Sequence, residues 1–413
     1  MNTELFIAKR LSFDKKNKKT VQLMARIAMV SIALSMAVMI VATAVLSGFS
    51  LQLKERISGF NAHLRIVNLD SNLSFEAEPI LNNYDFYDEI RNLPEVKHIQ
   101  QYAYKGGIIK AKDEIQGVVL KGIDTDFDWS FFKQYMVEGD IFTVSDTATT
   151  NQVIISETIA KMLNLKAGDT FDMYFVQEPV RIRRLKISGI YNTYFEDMDK
   201  TFIIGDIKNI RRLNQWNNNQ ISGMEIMLHK LDDTDAAYEK IDDMVGYLTL
   251  KDGAMFSVTT LQDAYPQIFN WLAILDMNVL IILIIMVIVA GFNMISSLII
   301  MLLDKIPMIG ILKAMGMQDS GIRKIFIYRS SIIVFKGLLY GNLFGLLLCI
   351  LQQQFGIITL DPQNYFFTTA PIHINWLTVI LLNVGSFAVI ILAQVLPTFI
   401  LSKFSPDKTI RKD

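Results

Sequence analysis

The sequence predicts a membrane α-helical protein with four transmembrane helices and a large extracytoplasmic α+β domain inserted between the first and second spans. Three observations carry that prediction. The 413 residues are 51% hydrophobic with a mean hydropathy of +0.32, more apolar than an ordinary soluble protein. Four apolar runs are long enough to cross about 30 Å of hydrocarbon, whereas residues 50–270 carry charges throughout and contain no such run. Lys and Arg gather at alternate ends of these runs, so the asymmetry of charge fixes a direction for every crossing.

Residues 1–26 hold Lys9, Arg10, Lys15, Lys16, Lys18, Lys19 and Arg26 against Glu4 and Asp14, which places a cytoplasmic N-terminal segment before transmembrane helix 1 at 27–49. Ala42-Thr43-Ala44 has the form of a signal-peptidase site. The apolar run around it exceeds the 7 to 15 residues of a signal-peptide core, and it is read as a retained span.

Beyond the membrane, Leu53, Ile57 and Phe60 keep helical spacing, so the first helix is expected to continue as a stalk. Alternating or β-rich stretches follow at 96–104, 107–112, 115–123, 153–155, 170–176, 180–191, 201–204 and 223–228. Helical patterns interrupt them at 84–93, 156–165, 206–213 and 233–248, an irregular order that indicates α+β. Phe269, Leu272 and Leu275 mark a second stalk, whose backward extension Pro266 limits.

Transmembrane helix 2 spans 271–303, and a cytoplasmic coupling segment occupies 304–324. There Asp304 is a candidate N-cap and Pro307 suits a first helical turn. Met308, Ile311, Leu312 and Met315 recur at helical spacing with Lys313 opposite, Gly316 stops the helix and Asp319 is placed to cap the next. Two readings fit a short helix of this kind: a grip for a cytoplasmic partner, or an interfacial helix resting on headgroups.

Transmembrane helix 3 covers 325–352. Gly337, Gly341 and Gly345 place three bare backbone patches on one face, the pattern that lets membrane helices approach closely. Lys336 beside them is read either as snorkelling to the cytoplasmic face or as a paired functional charge. The periplasmic loop 353–375 has no Lys or Arg, and Trp376 opens transmembrane helix 4 at 376–401. Lys403, Lys408, Arg411 and Lys412 return the tail 402–413 to the cytoplasm.

Particular residues carry a family resemblance. Ala290-Gly-Phe-Asn-Met-Ile-Ser-Ser297, the pair Asp304-Lys305 and Ile309-Gly-Ile-Leu-Lys-Ala-Met-Gly316 resemble the second span and coupling helix of the FtsX-like permeases, within them the lipoprotein-releasing (Lol) permeases. Gly48-Phe49, Ala62-His63, Leu360-Asp-Pro-Gln-Asn-Tyr-Phe-Phe367, Ala370-Pro-Ile372 and the closing Pro406-Asp-Lys-Thr-Ile-Arg411 are similar to the same family, with Leu401 departing from its small residue. The resemblance implies that 50–270 is a MacB-like periplasmic domain with an inserted subdomain at about 139–205. It also implies that the chain is a permease subunit of an ATP-driven mechanotransmission ABC complex in the inner membrane. The implied partners are an ABC ATPase dimer, a second permease subunit (homodimer or heterodimer) and lipoprotein cargo. A periplasmic lipoprotein carrier belongs to the family too, recruited by a long hook; residues 174–187 leave room only for a short turn around Gln177 to Pro179.

The chemistry of the sequence is consistent with a subunit that is not an enzyme. It contains no G-x-x-x-x-G-K-[ST] loop, so ATP and Mg are expected on the partner ATPase and no cofactor on this chain. His63, His98, His229 and His373 are scattered without metal-ligand spacing, and Cys349 is a lone cysteine, so no metal site and no catalytic residue is expected. A net charge of -1 gives no general attraction to nucleic acid. Ile309, Leu312, Lys313 and Met315 are the candidate ATPase-coupling residues. Val45, Phe49, Leu53, Leu272 and Leu275 are candidates for lipid or cargo contact, which packing of a dimer core explains equally well. The expected function is extraction of lipoproteins from the outer leaflet of the inner membrane toward the outer membrane. The alternatives are a MacB-like exporter of small molecules or peptides and an FtsX-like scaffold controlling a cell-wall hydrolase.

Overall fold

Helix α1 (Lys19–Asn61) forms because a charge-free run must satisfy its own backbone in hydrocarbon, and it persists past that run on the stripe of Leu53, Ile57 and Phe60, all buried. Ala62 ends it in the left-handed region at φ 55. The computed structural model describes residues 4, 6–7, 19–70, 75–76, 78–111, 114–246, 248, 255–361 and 367–398. Lys9 to Lys18, the family-like residues 362–366 and the basic tail lie outside the described residues.

The chain divides into two compact units. One comprises Gln52–Asn270 with Leu360–Thr368, so part of the last loop belongs to the folded domain rather than to the helices. Its strands are β1 (Leu64–Asn68), β2 (Ile80–Leu81), β3 (Val96–Ala111), β4 (Glu114–Ile123), β5 (Met136–Gly139), β6 (Gln152–Ser156), β7 (Thr170–Phe175), β8 (Arg181–Tyr191), β9 (Phe202–Asp206), β10 (Gln220–Ile221), β11 (Gly223–Leu228) and β12 (Phe256–Thr260). Nine of them run β12-β1-β11-β3-β4-β9-β6-β8-β5 in one sheet, β7 pairing with both β3 and β8, and β2 pairs with β10 apart from it. The strands of 139–205 are thus hydrogen-bonded into the same sheet as β3 and β4.

Interspersed helices are α2 (Phe86–Arg91), α3 (Ser130–Gln134), α4 (Glu157–Leu163), α5 (Glu196–Asp199), α6 (Ile207–Asn214), α7 (Thr234–Val245) and α8 (Leu261–Ala264). Local chemistry starts and stops them. Ser156 caps α4 by accepting from the Ile159 amide, Asp206 caps α6 by accepting from the Lys208 amide, and Thr260 with Asp263 forms a capping box on α8.

One expectation fails inside this sheet. The stretches 96–104 and 107–112 were expected as separate strands, but β3 runs unbroken through Lys105 and Gly106, which pair with Leu120 and Val119 of β4. Gly107 beside them permits a close approach of β7: a Cβ there would lie 2.5 Å from Met173 Cε and 3.0 Å from the Tyr174 carbonyl oxygen.

The other unit is helical. Besides the part of α1 up to Leu51, it contains α9 (Pro266–Asp304, from Trp271 on), α10 (Ile306–Ala314), α11 (Asp319–Phe355) and α12 (Trp376–Thr398). Four of these helices are long and apolar enough to cross a membrane. Pro266 stands at the first position of α9, where its missing N–H costs nothing, so the helix is unbroken to Asp304. Asp304 closes that helix instead of capping the next, and Lys305 takes the cap position of α10. Gly316, at φ +86, stops α10 as expected, and Gln318 rather than Asp319 precedes α11.

Neutral amides and hydroxyls cross-link the bundle. Asn342 and Asn383 exchange hydrogen bonds of 2.6 and 2.9 Å between α11 and α12, Ser330 donates to Gln394 Oε1, and Asn293 Nδ2 donates to Ser31 Oγ at 2.6 Å.

Candidate functional site

The short helix α10 is apolar apart from Lys313, so its packing decides which stripe a partner can reach. Ile309 is fully buried in a cluster with Leu298, Met301, Leu302, Ile322 and Phe326, and Leu312 packs half-buried against it. Ile309, expected among the coupling residues, thus packs into the bundle rather than facing outward. Lys313 pairs with Asp319 at 2.8 Å, across the turn made by Gly316, and braces the helix. Met315, 78% exposed, keeps its outward position and is joined by Ile311, 58% exposed, with Pro307 and Ala314 on the same outward side. Ile311 stood in the helically spaced stripe but not among the candidate coupling residues.

The expected cargo-facing residues divide similarly. Phe49, Leu53 and Leu272 are buried, Val45 and Leu275 half-buried, and the Phe49 ring meets Trp271 edge-on at 5.5 Å. These residues are packed within the chain and do not form an open surface. The exposed apolar wall lies elsewhere on α9, at Ile274, Met277, Ile281, Ile285, Ile288 and Phe292.

The glycine stripe does what its spacing suggested. A Cβ on Gly337 would lie 2.9 Å from Ile32 Cβ, one on Gly341 2.6 Å from Met36 Cβ, and one on Gly345 3.0 Å from Ala37 Cα. All three meet α1, which therefore runs parallel to α11.

In the folded unit, sequence reading missed two polar anchors at the end of α1, one buried and one half-buried. The Lys121 ammonium on β4 donates to the Phe60 carbonyl oxygen and to Glu225 Oε1 on β11 at 2.6 Å; Gln100 Nε2 donates to Glu225 Oε2 at 2.8 Å. The Tyr104 hydroxyl donates to Asn61 Oδ1 at 2.9 Å, and burial raises its pKa well above the ordinary phenol value. Burial pulls the Lys121 ammonium down, while Glu225 holds it up. One signal was present in the sequence: Lys121 interrupts Val118-Val-Leu-Lys-Gly-Ile123, a strand end too apolar to have a solvent face.

The second anchor is Arg56, which donates to the Thr193 carbonyl oxygen and lies 4.6, 5.4 and 5.9 Å from the rings of Phe367, Tyr135 and Tyr194. Beside it, Asp199 accepts from the Thr193 amide and hydroxyl at 3.1 and 2.7 Å, and burial pushes its carboxyl up to about 7. Between β7 and β8 the turn is only Val176 to Val180, as expected.

Four membrane helices with a large α+β unit between the first two define a MacB-type, FtsX-like ABC transporter permease. The model of the MacB-like periplasmic core domain matches residues 26–244, more than half of the chain, and the chain belongs to that family; the FtsX-like permease C-terminal model matches 280–406. Among named relatives, the chain is 24% identical to the lipoprotein-releasing system transmembrane protein LolE of Haemophilus influenzae, over 99% of both chains. It is 21% identical to LolC of Xylella fastidiosa over 96% of both, and 24% identical to LolC of Buchnera aphidicola over 93% of this chain and 92% of that one. The crystal structure of the periplasmic region of MacB from Actinobacillus actinomycetemcomitans covers 51% of this chain and 94% of its own, at 13% identity and a TM-score of 0.34.

Proposed function

We propose that this chain is the permease subunit of an ATP-driven ABC complex that extracts lipoproteins from the outer leaflet of the inner membrane and passes them toward the outer membrane. The observation that carries this reading is the end-to-end similarity to proteins named for lipoprotein release, which includes the folded domain as well as the spans. The charge asymmetry supports both termini in the cytoplasm and the folded domain in the periplasm. A separate ATPase dimer then meets α10 from the cytoplasm through Ile311, Ala314 and Met315, with a second permease subunit completing the membrane part. Mechanical transmission is supported by α1 and α9, which pass without a break from span-length apolar sequence into residues of the folded unit.

Export of small molecules or peptides is the second reading, favoured by the match to the MacB-like core domain and by the short β7–β8 turn. Depleting the chain and fractionating membranes separates the two. Lipoproteins retained in the inner membrane are expected; normal lipoprotein distribution with heightened drug sensitivity would overturn release in favour of export.

A further inference from the structure

The parallel register of α1 and α11 settles the level of Lys336. Gly337 rests on Ile32, so Lys336 is level with Ser31, roughly 8 Å along the axis from Arg26. Both cations belong to the basic end of the first span. On the outward side of the same helix pair runs a groove of about 500 Å³, lined by Met29, Ala33 and Ala37 of α1 and by Tyr340, Phe344 and Leu348 of α11, with almost no polar surface. At 100° per residue Arg26 shares the side of α1 that carries Ala33 and Ala37, and Lys336 begins the i, i+4 row that continues as Tyr340, Phe344 and Leu348. From Lys336 to Leu348 is about 18 Å, close to the roughly 15 Å of hydrocarbon in one leaflet.

We propose that this groove holds one acyl chain of an anionic bilayer phospholipid, whose phosphate is bound by Arg26 and Lys336. An apolar trough of one-leaflet length with cations at a single end is complementary to an amphiphile. A second protein helix would cover the trough along its length and has no need of paired cations at one end.

The test is native mass spectrometry of the purified full-length protein in detergent, titrated with 1-palmitoyl-2-oleoyl phosphatidylglycerol and, separately, with the matching phosphatidylcholine. One saturable phosphatidylglycerol site is expected. Arg26→Gln and Lys336→Gln are each expected to weaken it roughly fivefold, and Arg26→Lys to retain it. Val30→Trp, at a groove-lining position exposed on the outward face, is expected to abolish it with both cations in place; Ala33→Leu is the milder filler if the tryptophan variant does not fold. Equal binding of the two lipids, unchanged affinity in the Arg26→Gln/Lys336→Gln double variant, or a filled groove that alters self-association without altering lipid binding would overturn the proposal.

Discussion

The two units bury polar groups of different kinds. Between the spans of the helical unit the cross-links named above are neutral, amide to amide at Asn342–Asn383 and hydroxyl to amide at Ser330–Gln394, while its half-buried ion pairs, Lys313–Asp319 and Lys305–Asp304, stand at helix ends. In the folded unit they are ionic, Lys121–Glu225 at 2.6 Å and Arg211–Asp124 at 3.0 Å. The difference follows from what each chain segment meets before it folds. A span enters hydrocarbon, where an ion has no hydration to fall back on and a neutral donor–acceptor pair is the affordable glue. A water-exposed segment can bring ions together and exclude water last, provided every lone pair is satisfied.

If this contrast is right, breaking one ion pair in the folded unit costs several times more than breaking one amide pair in the bundle. Lys121→Met leaves Glu225 buried and uncompensated, and is expected to destabilise the folded unit by about 3–5 kcal/mol, measured by denaturant unfolding of the full chain. Lys121→Met/Glu225→Leu is expected to recover most of that loss. A double variant as unstable as the single would show that the loss does not come from the stranded charge.

In the bundle, Gly341→Leu forces a side chain against Met36 Cβ and the Ala33 carbonyl oxygen, and a loss of about 1–3 kcal/mol is expected from overpacking. Asn383→Leu removes the exchange with Asn342 and the donation from Asn383 Nδ2 to the Val379 carbonyl oxygen, and is expected to cost about 1 kcal/mol, read as a small fall in thermal midpoint in detergent. A cost matching that of Lys121→Met would erase the contrast.

The smallest effect is one of pH. Asp199 titrates near 7 in the folded chain, against 3.8 as the ordinary value, so the folded state holds a proton the unfolded chain has released and stability falls as pH rises through that window. His63 acts oppositely: burial, then Lys97, lowers it from 6.5 to about 4, and its contribution is lost as pH falls below 6.5. Between pH 6.5 and 7.5 the Asp199 effect stands clear, at about 1 kcal/mol or less per pH unit. Asp199→Asn is expected to flatten thermal stability across that interval, and an unchanged slope would assign the decline to another group.

Much of this molecule was legible in its sequence because hydropathy and cap chemistry act locally. The spans, the Gly316 stop, the short β7–β8 turn and the helix starts at Ser156 and Asp206 all follow from neighbouring residues. Features set by distant partners were not legible. Glu225 stands 104 residues from Lys121, and nothing near either residue announces the other. The gap between 96–104 and 107–112 closes only when β4 and β7 are laid beside β3. In α10 the helically spaced stripe already held Ile311, but that Ile309 packs inward is decided by the distant cluster around Phe326.

The proposed function has this chain convert ATP hydrolysis on a partner into release of a lipid-anchored protein. It is tested by proteoliposomes containing the chain, its second permease subunit and the ATPase, loaded with a triacylated lipoprotein. ATP-dependent release is predicted, and Ile311→Asp is predicted to abolish both release and ATPase co-purification while leaving membrane insertion intact. ATP hydrolysis with the lipoprotein still membrane-bound, or release undiminished by Ile311→Asp with the ATPase still attached, would contradict the account.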